Sequence, residues 1–560
     1  MIGIIEVGSR VRVALHGRRV GGWVVELLDR SSEVASEALK PILKSSGLGP
    51  SPDVIDLARW ASQRWCASRL RPFLVVASPP VVVHRPATPR RTRVVAEPTS
   101  PATSGLIERG GGVLRLPPTV DHLPTILSAA RVGPTLVVCP AVDQARVLSH
   151  RLRRTGVSVA LVPEDWAQAR GGVDVVIGAR GAAFAPCPDL RVAVVLDEHD
   201  EGLQEERTPT WHARDVIVER CRRVGAVPVL VSPVPSVEAW SSLGARGDSV
   251  VAPDRDRERR AWPEVELVDL SEQEPWKRSL VSTRLVADLR DESRRVVCVV
   301  NTKGQARASA CRSCRTLARC VHCEAAVVEI ERDEFVCPRC DSRRPRVCAA
   351  CGSTTMARVR PGTTRLREEL ERASLRQVLE VTASSGDVDD TGADVFVGTE
   401  AVLHRVRRAD TVVFLDVDSE LLAPRFRSRE QMWSLVARAA RLVGSSGRVV
   451  LQTSLADHDT VRAMVDLDLD RAVRDEWERR RTLDLPPFST VAVVEGDGLA
   501  QWATDLSSVS GVEVTDLGER LLVRAVDWRR LADAWESARS RLEKDARTRR
   551  VRIAVDPPRV

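Results

Sequence analysis

Cys311-Arg-Ser-Cys314, Cys320-Val-His-Cys323, Cys337-Pro-Arg-Cys340 and Cys348-Ala-Ala-Cys351 set four Cys-x-x-Cys pairs within about forty residues. They account for eight of the chain's thirteen cysteines. Each pair aims two thiolates at one metal, and a tetrahedral Zn2+ takes four, so the eight predict two bound zinc ions. Four thiolates close each site and leave no position for a reactive water, which marks the zinc as structural. A disulfide cluster is the competing reading. A reducing compartment favours metal instead, and the N-terminus carries no secretory pattern. Met1 to Glu6 is not a charged region ahead of a long apolar run, and Arg10 and Arg12 follow soon after, so the chain is expected to be cytoplasmic. Apolar runs such as Leu74 to Val83 are broken by paired prolines, and no membrane span is expected.

Sequential and nested pairings of the knuckles both satisfy the ligand count. Between Cys323 and Cys337, the stretch from Ala325 to Val336 reads as strand, charged turn and strand. A hairpin there favours nesting. The first zinc site is then Cys311, Cys314, Cys348 and Cys351, and the second is Cys320, Cys323, Cys337 and Cys340. His322 lies inside a knuckle and reads as a non-ligand, because four thiolates already fill the site. Arginines such as Arg312, Arg319, Arg343 and Arg346 surround the knuckles, serving either solvation or contact with nucleic-acid phosphate.

Outward from this insert, the chain changes texture. Residues 113–250 alternate short apolar runs, at 113–116, 135–139, 158–162, 174–177, 192–196 and 227–231, with helical stretches such as 121–131 and 141–154. That alternation predicts a parallel α/β sheet. A second such block spans 251–305 and 356–475, with runs at 296–300, 394–397, 411–415 and 448–452 and helices near 364–373 and 428–442. The cysteine-rich segment 306–355 interrupts it. Residues 1–80 read as a small β-rich module: a hairpin over 10–28 turning at His16-Gly17, then an amphipathic helix over 52–71. Residues 81–112, rich in Pro, Arg, Ser, Thr and Gly, read as a linker. Residues 476–560 read as an α+β domain, with runs at 489–494 and 520–525, a helix over 529–545 and a last strand from Val551 to Val555.

Two tandem parallel blocks suggest the paired RecA-like lobes of a helicase-type motor. Such a motor needs a Walker A loop, in which a lysine follows glycine and precedes Ser or Thr to cradle phosphates. The chain has only five lysines, Lys40, Lys44, Lys277, Lys303 and Lys544. Of these only Lys44 precedes a serine, and Leu43 stands before it, so no Walker A exists. Where the loop belongs, Gly112-Val-Leu-Arg-Leu-Pro-Pro-Thr-Val-Asp121 carries Pro117-Pro118, which offers no N–H to phosphate. Val192 to Leu196 followed by Asp197-Glu198-His199 reads as the remnant of a Walker B strand end. The formal net charge of +7 is modest for 560 residues and is carried almost wholly by arginine, whose planar fork suits phosphate.

These residues resemble the PriA family of replication-restart proteins (primosomal protein N′), in its degenerate actinobacterial form. The resemblance runs over nearly the whole chain. It rests on the eight cysteines, on Pro361-Gly-Thr-Thr-Arg-Leu-Arg-Glu-Glu-Leu370, on Trp211-His-Ala-Arg-Asp215, on Val397-Gly-Thr-Glu400 and on Leu485-Pro-Pro-Phe488. It implies nested zinc ligands and a DNA 3′-end-binding domain at the N-terminus, with Lys40 and Gly17 as DNA-binding residues. It also shows where this chain departs. Aligned on His199, Leu196 takes the place of the family's Mg2+-binding aspartate. Ser232-Pro-Val-Pro-Ser236 replaces Ser-Ala-Thr-Pro-Ser. Ser434 to Arg441 keeps Arg438 and Arg441 of the family's last motor motif but not its glutamine or glycines. The join between the first domain and the motor is too short for the family's winged helix.

The resemblance implies binding to forked or single-stranded DNA at stalled replication forks. It implies contact with single-strand-binding protein and other primosome or helicase-loading proteins, and reloading of the replicative helicase. The missing Walker A removes the grounds for expecting ATP and Mg2+ as cofactors, and favours a chain that binds and assembles without unwinding. An active ATP-dependent 3′→5′ DNA helicase is the first alternative and would need another phosphate loop. A zinc-ribbon interaction scaffold with weak DNA contact is the second, and salt-insensitive fork affinity would mark it. Cys66, Cys139, Cys187, Cys221 and Cys298 stand singly and are expected to be buried core thiols.

Overall fold

The computed structural model describes all residues except 1–4, 30–38, 245–248, 272–278, 301–308, 359–362, 543–550 and 558–560 and short breaks at 315, 323, 332–333, 338–339, 341, 383, 387 and 389–391. The chain divides into two compact units. One comprises Met1–Arg115, Asp121–Ala252 and Arg480–Pro557, and the other Leu116–Val120, Pro253–Arg479 and Pro558–Val560.

The first unit is built on a seven-stranded sheet in the order Val250–Val251, Gly112–Arg115, Val227–Ser232, Val192–Val195, Thr135–Val138, Val175–Gly178, Val159–Val162. Every neighbouring pair is parallel. Four of these strands are buried at every position, which fits their continuous apolar sequence: a parallel sheet is covered on both faces and needs no polar alternation. Helices Leu123–Val132, Val142–Arg154 and Ala213–Val224 supply the crossovers. The second unit carries a six-stranded, wholly parallel sheet in the order Glu264–Asp269, Arg448–Thr453, Thr411–Phe414, Val296–Val299, Val395–Gly398, Val378–Val381. Two RecA-like lobes are therefore present, as the apolar runs predicted.

The N-terminal module is a three-stranded antiparallel sheet in which Arg10–Leu15 lies between Arg18–Trp23 and Ile42–Ser45. Its hairpin turns on two residues of positive φ, His16 at 48° and Gly17 at 73°, the combination that matches the twist of a tight hairpin. The single helix expected over 52–71 is two helices, Pro52–Arg64 and Arg71–Ala77. Cys66 takes a left-handed φ of 50°, which ends the first, and Pro72 sits in the first turn of the second. Aromatic packing carries this module onto the lobe: Phe73 lies 5.7 Å from Phe184, which meets Trp211 edge-on at 5.2 Å. Burying each such ring contributes roughly 1.5–3 kcal/mol.

The linker reading of residues 81–112 needs correction. Pro101–Glu108 is a helix, with Ser100 accepting from Thr103 N–H as its cap and proline in its first turn. Upstream, the backbone N–H and hydroxyl of Thr92 both donate to Asp174 at 2.8 Å. The low-complexity composition concealed a capped helix start and a docked strap. The C-terminal segment forms an antiparallel sheet in the order Val512–Asp516, Arg520–Ala525, Thr490–Gly496, Val551–Val555, backed by Leu499–Ser507 and Trp528–Leu542. Its buried face shares one apolar core with the N-terminal helices and the first lobe. Arg64 donates to Asp556 at 2.7 Å within the same unit. No described helix is long and apolar enough to cross a membrane.

Candidate metal centres and nucleotide site

The insert is two small sheets, Ser309–Cys311 with Met356–Arg358 and Val328–Glu331 with Glu334–Val336 and Arg343–Pro345. The hairpin expected between the inner knuckles is present, Val328 pairing with Val336. It brings the described thiols together in the nested arrangement: Cys311, Cys314, Cys348 and Cys351 in one cluster, and Cys320, Cys337 and Cys340 in the other, with every sulfur in a cluster within 4.8 Å of the rest. Cys323, the fourth expected ligand of the second site, lies outside the described residues. Closest sulfurs are 3.5 Å apart for Cys311 and Cys351, 3.4 Å for Cys314 and Cys348, and 3.4 Å for Cys320 and Cys340. Thiolates about 2.3 Å from a tetrahedral zinc stand about 3.8 Å from one another, so these clusters fit that ion with a small outward relaxation.

Electrostatics point the same way. A backbone hydrogen bond from Cys314, with others nearby, pulls the Cys311 thiol down to about 6. Cys351 receives a lowering hydrogen bond from the Ser353 backbone, yet the neighbouring thiols of Cys314 and Cys311 drive it up to about 12. Such crowding of thiols is what a divalent cation relieves, since a bound metal deprotonates them all. Arg344 packs 5.0 Å from the Phe335 ring and donates to Val347 O, and Arg346 pairs with Glu329 at 3.0 Å. These two arginines hold the insert's own loops. Arg315 and Arg339 lie outside the described residues.

The insert docks on its lobe through a small apolar cluster of Ala326, Leu422 and Leu455, beside a hydrogen bond from Ala326 N–H to Leu422 O at 3.1 Å. Below it lies Asp418, which accepts from the Thr453 hydroxyl and from Ser454 N–H. Burial, with the nearby Asp416 charge, raises the Asp418 carboxyl to about 6. A raised acid binds its proton more tightly in the folded chain, so its contribution to stability is full near pH 4 and is lost as pH rises through about 6. Asp418→Asn is expected to flatten the pH dependence of unfolding of this lobe between pH 4 and 6, measured by urea titration across that range.

At the carboxyl ends of the first lobe's strands, where open α/β sheets bind ligands, the acidic pair is present but committed. Glu198 is fully buried. It accepts from Ser236 N–H at 2.7 Å, the Ser236 hydroxyl at 2.8 Å and Arg214 Nη1 at 3.2 Å. Burial opposes the Arg214 charge, but Asp215 and Glu198 overcome it and keep the guanidinium protonated. Arg214 is aimed by the start of its helix, where His212 Nδ1 caps Arg214 N–H at 3.2 Å. Asp197 adopts a left-handed φ of 48° and accepts from Gln144 Nε2 at 3.1 Å. His122 stands immediately before the helix Leu123–Val132 without a side-chain cap bond, near the place where a phosphate loop carries its lysine. It is buried with its Nε2 3.8 Å from Asp197, and neither ring nitrogen has a hydrogen-bond partner among the described residues. His199 Nδ1 meets Ser232 Oγ at 2.8 Å, and Leu196 is buried.

Residues Leu116–Val120 group with the second unit. There Val120 N–H closes a turn on Pro117 O, and Arg441 Nε donates to Pro118 O at 3.0 Å. A phosphate cradle presents N–H donors. This loop presents carbonyls, and an arginine takes one of them. Sequence reasoning flagged the segments around Arg214, Ser236 and Arg441 but not what these side chains touch, and it overlooked His122 and Gln144. A histidine immediately before an apolar helix, in a chain lacking the expected lysine, was the available signal. Of the DNA-binding candidates, Gly17 forms the hairpin tip and Lys40 is exposed. Since Val13 pairs with Ile42, Lys40 runs beside the tip end of the same sheet.

The two parallel sheets and the cysteine-rich insert define a two-lobed α/β protein with candidate metal centres. A family model for the 3′ DNA-binding domain of PriA matches residues 3–76. Replication restart protein PriA of Bacillus subtilis is 25% identical over 365 residues, covering 61% of this chain and 45% of that protein. PriA of Chlamydia pneumoniae is 26% identical over 419 residues, covering 69% and 54%. PriA of Treponema pallidum is 29% identical over 337 residues, covering 56% and 50%. Among solved structures, a DEAD box protein from Methanococcus jannaschii aligns with a TM-score of 0.31 at 8% identity, over 69% of this chain and 91% of that one. The chain is similar to the replication restart protein PriA over part of its length, in agreement with the resemblance read from its motifs. It spans about half the length of the curated relatives it matches.

Proposed function

We propose that this chain binds forked DNA at stalled replication forks and helps reload the replicative helicase, without ATP-driven strand separation. The observation that carries the reading is the state of Glu198, whose two oxygens are occupied by Ser236 and Arg214 in a fully buried network. A carboxylate so held is unable to polarise a water for hydrolysis, and the segment Leu116–Val120 offers no phosphate cradle. What remains intact is binding chemistry: a 3′ DNA-binding domain match, an arginine-rich surface and two thiol clusters suited to zinc. In this reading Cys311, Cys314, Cys348 and Cys351 hold one zinc, and Cys320, Cys323, Cys337 and Cys340 the other. The ions would cross-link a rigid platform, while Lys40 and Gly17 would meet a DNA 3′ end. Single-strand-binding protein and helicase-loading proteins are the partners in the same reading, and the cytoplasm its location. Fork affinity measured across a salt series, beside ATP turnover on the same preparation, tests it. Affinity is expected to fall steeply with salt, as phosphate contacts require, with no turnover.

A further inference from the structure

A cavity of about 910 Å3 lies in the first unit, walled on one side by the N-terminal hairpin and on the other by the helix Arg71–Ala77 and the lobe. Five arginines reach it, Arg10, Arg12, Arg18, Arg19 and Arg71, against one carboxylate, Glu164. Glu164 is already 3.8 Å from Arg146. Arg10 donates to Pro79 O at 3.3 Å, but the side chains of Arg12, Arg18, Arg19 and Arg71 make no hydrogen bond or ion pair among the described residues. The floor is apolar, including Val75, Val76, Val142 and Val162. Val75 is 51% exposed.

The hairpin register explains how these groups converge. Arg10 is opposite Trp23, Arg12 opposite Gly21, and Ala14 opposite Arg19. Residues directly opposite in an antiparallel pair project to one face, so Arg10, Arg12, Arg19 and Trp23 share a face. The indole of Trp23 is fixed by its hydrogen bond to Ser78 Oγ at 2.8 Å. Gly21, between them, opens onto empty space: a Cβ there would meet nothing within 4 Å. Arg10 and Arg12 stand two strand residues apart, about 6.8 Å, comparable with the spacing of successive phosphates in an extended single strand. Unpaired arginines over an apolar and aromatic floor are the components of a single-strand groove, in which the backbone meets charge and the bases meet flat apolar surface.

We infer that this cavity is a binding groove for single-stranded nucleic acid, which begins at Arg18 and Arg19 beside the hairpin tip and extends beyond the 3′-end contact proposed for Gly17 and Lys40. The inference rests on the proposed DNA-binding function and extends the path of the strand. A short 3′-blocked oligothymidylate, fluorescein-labelled, is the probe, because its blocked end keeps a 3′-end pocket out of the measurement. Arg12→Ala/Arg19→Ala is expected to weaken its binding about tenfold at moderate salt and to lower the salt slope by about two. Gly21→Ile is expected to weaken it comparably by filling the groove, with little shift in thermal unfolding, since a Cβ at this position meets nothing within 4 Å and β-branching suits a strand. Wild-type affinity in both the arginine and glycine variants, with fork binding intact, would overturn the groove while sparing the functional reading. If the wild-type chain binds neither fork nor oligothymidylate, the functional reading fails as well. Should an acidic amphipathic peptide bind the wild type and not Gly21→Ile, with the oligothymidylate unbound, the groove belongs to a protein partner and the assignment is wrong.

Discussion

Cys348→Ser is expected to remove one of two zinc ions and to unfold one ribbon of the insert. Cys348 is buried and its sulfur lies 3.4 Å from that of Cys314, so a serine leaves three thiolates around an ion that needs four. The insert has little else to fall back on. Its core consists of Cys311, Ala318, Cys320, Ala325, Val327, Phe335, Cys337, Cys348 and Met356, so four of nine buried members are cysteines. A core this small supplies only a few kcal/mol, whereas structural zinc supplies an apparent 10–16 kcal/mol, roughly, at neutral pH. Metal analysis should fall from two zinc per chain to one, and limited proteolysis should open between residues 306 and 355 while the sheets of both units persist. Two zinc retained in the variant would show that the nested cluster is not the ligand set. Chelation of the wild type is expected to reproduce the effect in both ribbons.

Arg214→Ala should destabilise the first unit by about 3–5 kcal/mol, because it strands a buried carboxylate. Glu198 is fully buried, and Arg214 is the cation that reaches it, at 3.2 Å. The guanidinium also holds the Ser236 hydroxyl at 2.9 Å and Asp215 at 2.9 Å, so its loss frees three polar partners, of which Glu198 and Ser236 are buried. Replacing both charges, as Arg214→Leu/Glu198→Leu, is expected to cost less than the sum of the two single changes, since neither partner is then left unpaired. Chemical denaturation of the three variants measures this coupling. Additive losses would mean that the buried network is incidental, and Glu198 would then be free for other chemistry.

Much of this architecture was legible in the sequence, and for a physical reason. Strands buried on both faces must be apolar throughout, so Val192 to Val195 and Val175 to Gly178 announce themselves without alternation. The cysteine spacing fixed the insert, and the charged break between the two short runs of Ala325 to Val336 gave its hairpin. What remained hidden depends on contacts distant in sequence. Glu198 and Ser236 are thirty-eight residues apart, and nothing local in either says that a serine will cap that carboxylate. The docked segment before the first lobe was hidden by its own composition, since Pro and Ser mark helix starts as readily as loops. Its cap at Ser100 became visible only with Thr103 in place. The arginine groove was equally silent, because the strand register, not the order of residues, puts Arg10, Arg12, Arg19 and Trp23 on one face.

ATP turnover by the purified chain with saturating forked DNA tests the central claim most directly. With Glu198 held by Ser236 and Arg214 and no phosphate loop in the chain, phosphate release is expected to match that of the Glu198→Gln variant, while both proteins bind the fork. DNA-stimulated hydrolysis in the wild type that disappears in Glu198→Gln would contradict the account, and would return this carboxylate to catalysis.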